Sequence, residues 1–232
     1  MFRTFLWYFT IALILVITLP IWFIARVFPG KNPQKWPQLI LDIFSPVVLW
    51  IAGFKVEASG LENIPEEPAL FIGNHQGLFD MVIALMKMGK LRPFLAKKET
   101  EKIPVISSWM KMIGCVFIDR GNVRSSLESL KQVEELLSQG KSIIVFPEGT
   151  RSRKHEMGEF KAGSFRPAIK ANVPVVPFVI DGSYHAWEEK KKINPCTTRL
   201  SILKPIYPDE LPEKTTKAMA AITQEKIKEV LK

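Results

Sequence analysis

His75 and Asp80 stand five residues apart in Asn74-His75-Gln76-Gly77-Leu78-Phe79-Asp80, directly after the apolar run Ala69-Leu70-Phe71-Ile72-Gly73. An imidazole is the usual general base near neutral pH. A carboxylate on its other nitrogen fixes the tautomer and stabilises the imidazolium that forms. These are two members of a Ser-His-Asp triad. The third is missing, because no serine lies in a Gly-x-Ser-x-Gly elbow and neither Cys115 nor Cys196 has a nucleophile's setting. The pattern points to a base whose nucleophile arrives with the substrate. The competing role for Asp80 is capping of the helical pattern from Met81 to Met88.

Residues five apart on an α-helix point about 140° away from each other, so this pair can meet only across a turn. The order apolar run, Gly73, polar turn with Gly77, helix supplies one. Further along, Arg120 follows the apolar Cys115-Val116-Phe117-Ile118, and Arg151 follows Ile143-Ile144-Val145-Phe146 in the turn Pro147-Glu148-Gly149-Thr150-Arg151-Ser152-Arg153. Guanidinium groups just past strand ends suit an anion, and Lys161 supplies another cation. Gly149 allows close backbone approach, and the turn around Thr150 can aim N–H groups at an oxyanion or phosphate. Beside an anion, Glu148 is expected to pair with a cation or bind a substrate hydroxyl. The competing reading of either arginine is a surface ion pair, and Arg153 and Lys154 read as solvated.

Strand patterns at Lys55–Ala58, Leu70–Gly73, Leu91–Ala96, Cys115–Ile118, Ser142–Phe146, Val175–Ile180 and Thr198–Leu203 alternate with helical ones. The clearest helix follows Ser125, which with Glu128 forms a capping box before the stripe Leu127, Leu130, Val133, Leu136, Leu137, and it stops at Gly140. A closing helix spans Lys217 to Leu231. The expected fold is α/β, a mostly parallel sheet flanked by helices, with ligands gathered outside the carboxyl ends of the strands. Pro174 and Pro177 suggest an edge or bulge, and Trp187 to Lys192 reads as a charged, solvated excursion.

Before this domain, Phe5 to Ala25 carries no charge and is flanked by Arg3 and Arg26, a run of 21 residues long enough to cross a bilayer. Pro20 is expected to kink this helix or end its first part. A connector, Pro29-Gly30-Lys31-Asn32-Pro33-Gln34-Lys35, leads to the second apolar segment, Trp36 to Phe54. Residues 1–54 are therefore expected to form a membrane-embedded helical hairpin and residues 55–232 the catalytic domain. The formal charge of +9 calls for an anionic partner. The apolar N-terminus selects an anionic phospholipid membrane over nucleic acid. Two cysteines form neither a zinc nor a disulfide framework, which suits a reducing compartment and an active site on the cytoplasmic face.

Four ordered blocks resemble the glycerolipid acyltransferases, most nearly the bacterial enzymes acting on 1-acyl-glycerol-3-phosphate. They are Asn74-His75-x4-Asp80, Gly114-Cys115-Val116-Phe117-Ile118-Asp119-Arg120, Phe146-Pro147-Glu148-Gly149-Thr150-Arg151-Ser152 and Val173-Pro174-Val175-Val176-Pro177. The resemblance implies transfer of an acyl group from an acyl-CoA or acyl carrier protein thioester to the sn-2 hydroxyl of lysophosphatidate, forming phosphatidate. It implies His75 as base, Asp80 as its partner, and Arg120 with Glu148, Gly149, Thr150 and Arg151 at the glycerol phosphate. No bound cofactor or metal is implied. Glycerol-3-phosphate or another lysophospholipid as acceptor, a lipase-like hydrolase, and a non-catalytic lipid-binding protein are the alternatives.

Overall fold

The computed structural model describes residues 1–28, 30, 32 and 34–231, so Pro29, Lys31 and Pro33 of the expected connector lie outside the described residues. Helix α1 (Phe2–Val27) is apolar on every side, and Phe5, Phe9, Val16 and Phe23 are each more than half exposed. A helix apolar all round normally belongs in a core or a bilayer. Among the described residues, α1 alone is long and apolar enough to cross a membrane. It continues through Pro20 instead of ending there; the ring costs the intrahelical bond to the Val16 carbonyl, but the element stays whole. Helix α2 (Lys35–Ala52) packs against it and ends at Gly53, whose φ of 80° is left-handed. That conformation favours glycine, and a Cβ there would also press on Pro195 at 3.0 Å.

The hairpin is fastened to the rest of the chain. The Trp7 ring packs edge-on to Phe79 at 5.4 Å, and Thr4 Oγ1 accepts from the Ile193 amide at 3.0 Å. Gln38 Oε1 accepts from the Leu91 amide at 2.7 Å.

The remaining elements are β1 (Phe54–Ser59), β2 (Leu70–Gly73), α3 (Asp80–Lys87), β3 (Leu95–Lys97), α4 (Ile106–Ile113), β4 (Val116–Ile118), α5 (Val123–Ser138), β5 (Ile143–Val145), α6 (Arg166–Ala171), β6 (Val175–Asp181), β7 (Cys196–Ile202) and α7 (Thr216–Val230). The main sheet runs β1-β7-β6-β2-β5, and the parallel pair β3-β4 continues it through a parallel bridge from Phe94 to Ile144. β2 lies parallel to both β5 and β6, whereas β7 is antiparallel to β6 and carries β1 parallel to itself. The fold is thus the expected α/β arrangement with a mostly parallel sheet.

Strand alternation divides the core. Leu70, Ile72, Val175 and Val179 join one apolar cluster, and Phe71, Val176, Phe178 and Ile180 join the other. The first cluster is closed by Val133 and Leu137 of α5, Ala168 of α6, and Met219 and Ile227 of α7. The second is closed by Leu49 of α2 and Ile83 and Ala84 of α3. Both faces of the sheet are therefore dry along β2, β5 and β6, the mutually parallel strands.

Two local expectations change. The N-cap of α5 is Asn122, whose side chain accepts from the Ser125 amide at 3.0 Å, so Ser125 already lies inside the helix. β6 is an inner strand, not an edge or a bulge. Pro177 is tolerated there because the antiparallel ladder to β7 begins only at Phe178, and Pro177 contributes just its carbonyl, to Leu203 N–H at 2.9 Å.

Candidate active site

Because β2, β4, β5 and β6 run the same way, their carboxyl ends share one edge of the sheet, and four turns meet there. Gly73 ends β2, and the next residues, Asn74 and His75, enter the site. Asn74 is fully buried and exchanges two 2.8 Å hydrogen bonds with the Ile180 backbone, locking this turn to the end of β6.

Across the turn, His75 Nδ1 lies 2.7 Å from Asp80 Oδ2. Asp80 does not act as the N-cap side chain of α3. It is the helix's first residue, fully buried, and the same oxygen accepts from the Gly77 amide at 2.8 Å. Its other oxygen, Oδ1, accepts from the Ser183 hydroxyl, carried in the turn after β6. A buried carboxylate with three donors is satisfied and immobile. With Nδ1 occupied, Nε2 is the imidazole nitrogen left for substrate, and the His75 side chain keeps 21% exposure for reaching it. Phe146 stacks on the ring at 4.3 Å and 14°, setting its plane.

Glu148 is buried and is met by no cation among the described residues. Its Oε1 accepts from the His75 amide at 2.6 Å and its Oε2 from the Gly158 amide at 2.8 Å. This corrects the expected cation pairing: two backbone donors satisfy the carboxylate. Burial pushes the Glu148 carboxyl above its ordinary value, and the two amides pull the other way. The turn after β5 is then stitched to the His75 turn by Ser152 N–H to the His75 carbonyl (2.8 Å) and Arg153 N–H to the Gln76 carbonyl (3.1 Å). Gln76, fully buried, spans from the Gly182 amide (2.9 Å) to the His155 carbonyl (3.0 Å).

Arg120 and Lys161 converge on Gly149, whose φ is 73°. A Cβ at Gly149 would stand 2.9 Å from Lys161 Nζ and 3.8 Å from Arg120 Cδ, so a side chain there would displace the lysine. Both cations line a cavity of about 260 Å³ whose apolar wall includes Leu95, Ile118, Leu127, Leu130 and Phe146, the ring that also stacks on His75. Thr150 is exposed beside it.

Arg151 departs from the expected placement. Its Nη1 pairs with Glu188 Oε1 at 2.7 Å, a carboxylate with 2% side-chain exposure, and the guanidinium does not line this cavity. The segment Trp187 to Lys192 is accordingly not wholly solvated. Glu188 is buried, and Trp187 packs against the core and edge-on to Tyr8 at 6.1 Å. Charge density hid two inward side chains. Nothing in the local sequence marked Ser183; its signal is the Gly182-Ser183 turn after an apolar strand, at the edge where ligands gather.

A model of the acyltransferase family matches residues 55–181. A probable 1-acyl-sn-glycerol-3-phosphate acyltransferase of Mycoplasma pneumoniae is 35% identical over 194 residues, 77% of this chain and 73% of that one. A chloroplastic 1-acyl-sn-glycerol-3-phosphate acyltransferase of Brassica napus is 37% identical over 178 residues, 75% of this chain and 51% of its own length. The crystal structure of the 1-acyl-sn-glycerophosphate acyltransferase PlsC of Thermotoga maritima superposes with a TM-score of 0.84 at 27% identity, covering 99% of this chain and 93% of that one. The sequence blocks, the sheet that brings them together and the relatives that share both lead to one assignment: the chain belongs to the acyltransferase family, among the 1-acyl-sn-glycerol-3-phosphate acyltransferases.

Proposed function

We propose that this enzyme transfers a fatty acyl group from a thioester, acyl-CoA or acyl carrier protein, to the sn-2 hydroxyl of lysophosphatidate, giving phosphatidate. The supporting observation is the His75–Asp80 pair at 2.7 Å with no protein nucleophile on the ring among the described residues. Ser183, the nearby hydroxyl, is bonded to the far oxygen of Asp80 and so cannot hand its proton to His75. Cys115 is buried, and burial pushes its thiol up to about 12, which disqualifies it as an attacking thiolate. A hydrolase reading thus lacks its acyl-enzyme.

His75 Nε2 takes the hydroxyl proton as the oxygen attacks the thioester carbonyl. The tetrahedral intermediate then collapses, and the thiolate leaves with the proton returned by the imidazolium. Asp80 supports that imidazolium. Arg120 and Lys161 grip the phosphate and so orient the hydroxyl, while the apolar wall of the 260 Å³ cavity shelters hydrocarbon. Arg151 acts indirectly, through Glu188, by holding the turn. α1 seats the enzyme in the membrane that holds its lipids, with the site toward the cytoplasmic thioester pool.

The test is to incubate purified protein with lysophosphatidate and each thioester and identify the product by mass spectrometry. Phosphatidate is expected, with His75→Ala lowering its rate by about a thousandfold or more. An acyl-enzyme trapped by rapid quenching, or near-normal transfer by His75→Ala, overturns the mechanism.

A further inference from the structure

At the opposite end of the sheet lies a cavity of about 610 Å³. Pro68, Pro93 and Ser142 line it just before β2, β3 and β5, so it opens on the amino edge, while His75 follows the carboxyl end of β2. From Pro68 to His75 the extended chain spans roughly 20 Å, enough to keep a small ligand here from touching the imidazole.

The charges around this cavity are one-sided. Lys87, Lys90, Arg92 and Lys141 line it against a single carboxylate, Glu66. None of the four cations joins an ion pair among the described residues, although other lysines, such as Lys98 and Lys111, do. Arg92 is the informative member. It is 7% exposed, its Nη1 donates to the Met88 and Lys90 carbonyls at 2.9 Å each, and its guanidinium lies 4.6 Å over the Phe71 ring. Its Nε and Nη2 have no protein acceptor among the described residues and are not fully buried, on a residue that lines the cavity. Burial lowers this guanidinium from its ordinary value, and no carboxylate among the described residues offsets that cost. An uncompensated buried charge is costly, and an arginine fork held in one orientation is suited to planar, bidentate recognition of phosphate.

We propose that this cavity is a second anion site, distinct from the catalytic one, which takes a phosphate group. Arg92 provides the oriented fork and Lys87, Lys90 and Lys141 the surrounding field. Two sources share that chemistry: the headgroup of an anionic phospholipid and a soluble phosphate compound. The headgroup source draws on Gln34, which lines the cavity at the entrance to α2 and lies six residues beyond the exposed Phe28 at the end of the apolar α1. A lipid there tethers the amino edge of the sheet to the surface in which α1 is seated.

Full-length protein in detergent is titrated calorimetrically with inorganic phosphate, and separately assayed for flotation with phosphatidylglycerol or phosphatidylcholine vesicles. The variants are Lys87→Gln, Lys90→Gln and Lys141→Gln combined; Lys190→Gln, Lys192→Gln and Lys204→Gln combined, which removes equal charge elsewhere; and Arg120→Gln with Lys161→Gln, which strips the catalytic cavity. The first set is expected to weaken one probe by about tenfold or more, and the second set to leave it unchanged. Loss for inorganic phosphate, persisting in the Arg120/Lys161 background, assigns a soluble ligand; loss confined to phosphatidylglycerol vesicles assigns a headgroup. The proposal is overturned if the first set binds both probes as the unaltered protein does, or if the second set loses as much.

Discussion

Ser183 lies 103 residues from Asp80 in sequence, yet its hydroxyl completes the three-donor cage of that carboxylate. Removing one hydrogen bond to a buried charged group costs about 1.5–3 kcal/mol. Ser183→Ala is therefore expected to lower kcat by about tenfold or more with little change in the KM for lysolipid, since Ser183 touches Asp80 and not the anion pocket. Ser183→Thr, which keeps the hydroxyl, is expected to recover much of the rate; an unchanged kcat in the alanine variant makes the cage irrelevant. Residue reading of the sequence found His75 and Asp80 because both fall in one turn, where spacing alone limits the geometry. It could not find Ser183, Glu188 or the Gln76 brace to Gly182, because their partners are 103, 37 and 106 residues away and only the strand order brings them together. Nor could it foresee the buried glutamate that Arg151 pairs with, for a guanidinium after a strand looks the same whether its anion is a ligand or a side chain.

At the scale of elements, the site is a set of turns held at fixed spacing by strand ends, and Glu148 is the fastener between two of them. Replacing it with glutamine keeps one acceptor, but sets an amide donor against either the His75 or the Gly158 N–H. Glu148→Gln is expected to cut kcat by shifting the His75 backbone. It also carries a pH signature. Because burial raises the folded pKa of Glu148, stability attributable to this group is highest in acid; it falls as pH climbs from the ordinary glutamate range, about 4, through the raised folded value, and is level above. Across that interval the thermal midpoint of the unaltered protein should fall relative to that of Glu148→Gln as pH rises, and parallel curves would mean that Glu148 titrates ordinarily. The elements themselves were legible because apolar runs of strand length alternate with helical stripes. Their ends were less so: α5 begins at Asn122, where an asparagine does the capping work assigned to Ser125, and β6 tolerates Pro177 because its antiparallel partner starts one residue later.

Taken as a whole, the molecule places the His75–Asp80 pair at one edge of its sheet, a cationic hollow at the other, and an apolar hairpin alongside. That the N-terminal segment suits a membrane was readable from its lack of charge; that its first two turns pack against Phe79 and Ile193 was not, since Trp7, Thr4 and their partners lie far apart in sequence. Deleting residues 1–52 is expected to release the protein from membrane pellets and to uncover Phe79, lowering the thermal midpoint by about 2–4 °C for each lost kcal/mol of packing. A truncated form that stays with the membrane would assign docking to the sheet domain. The same brace bears on how the chain is made. Thr4 waits for an amide 189 residues downstream, and β1 waits for β7, so the opening helix leaves the ribosome roughly ten to forty seconds before its resting place exists. During that interval the apolar helix lacks its Ile193 anchor, which makes its docking against the finished sheet a late event of synthesis.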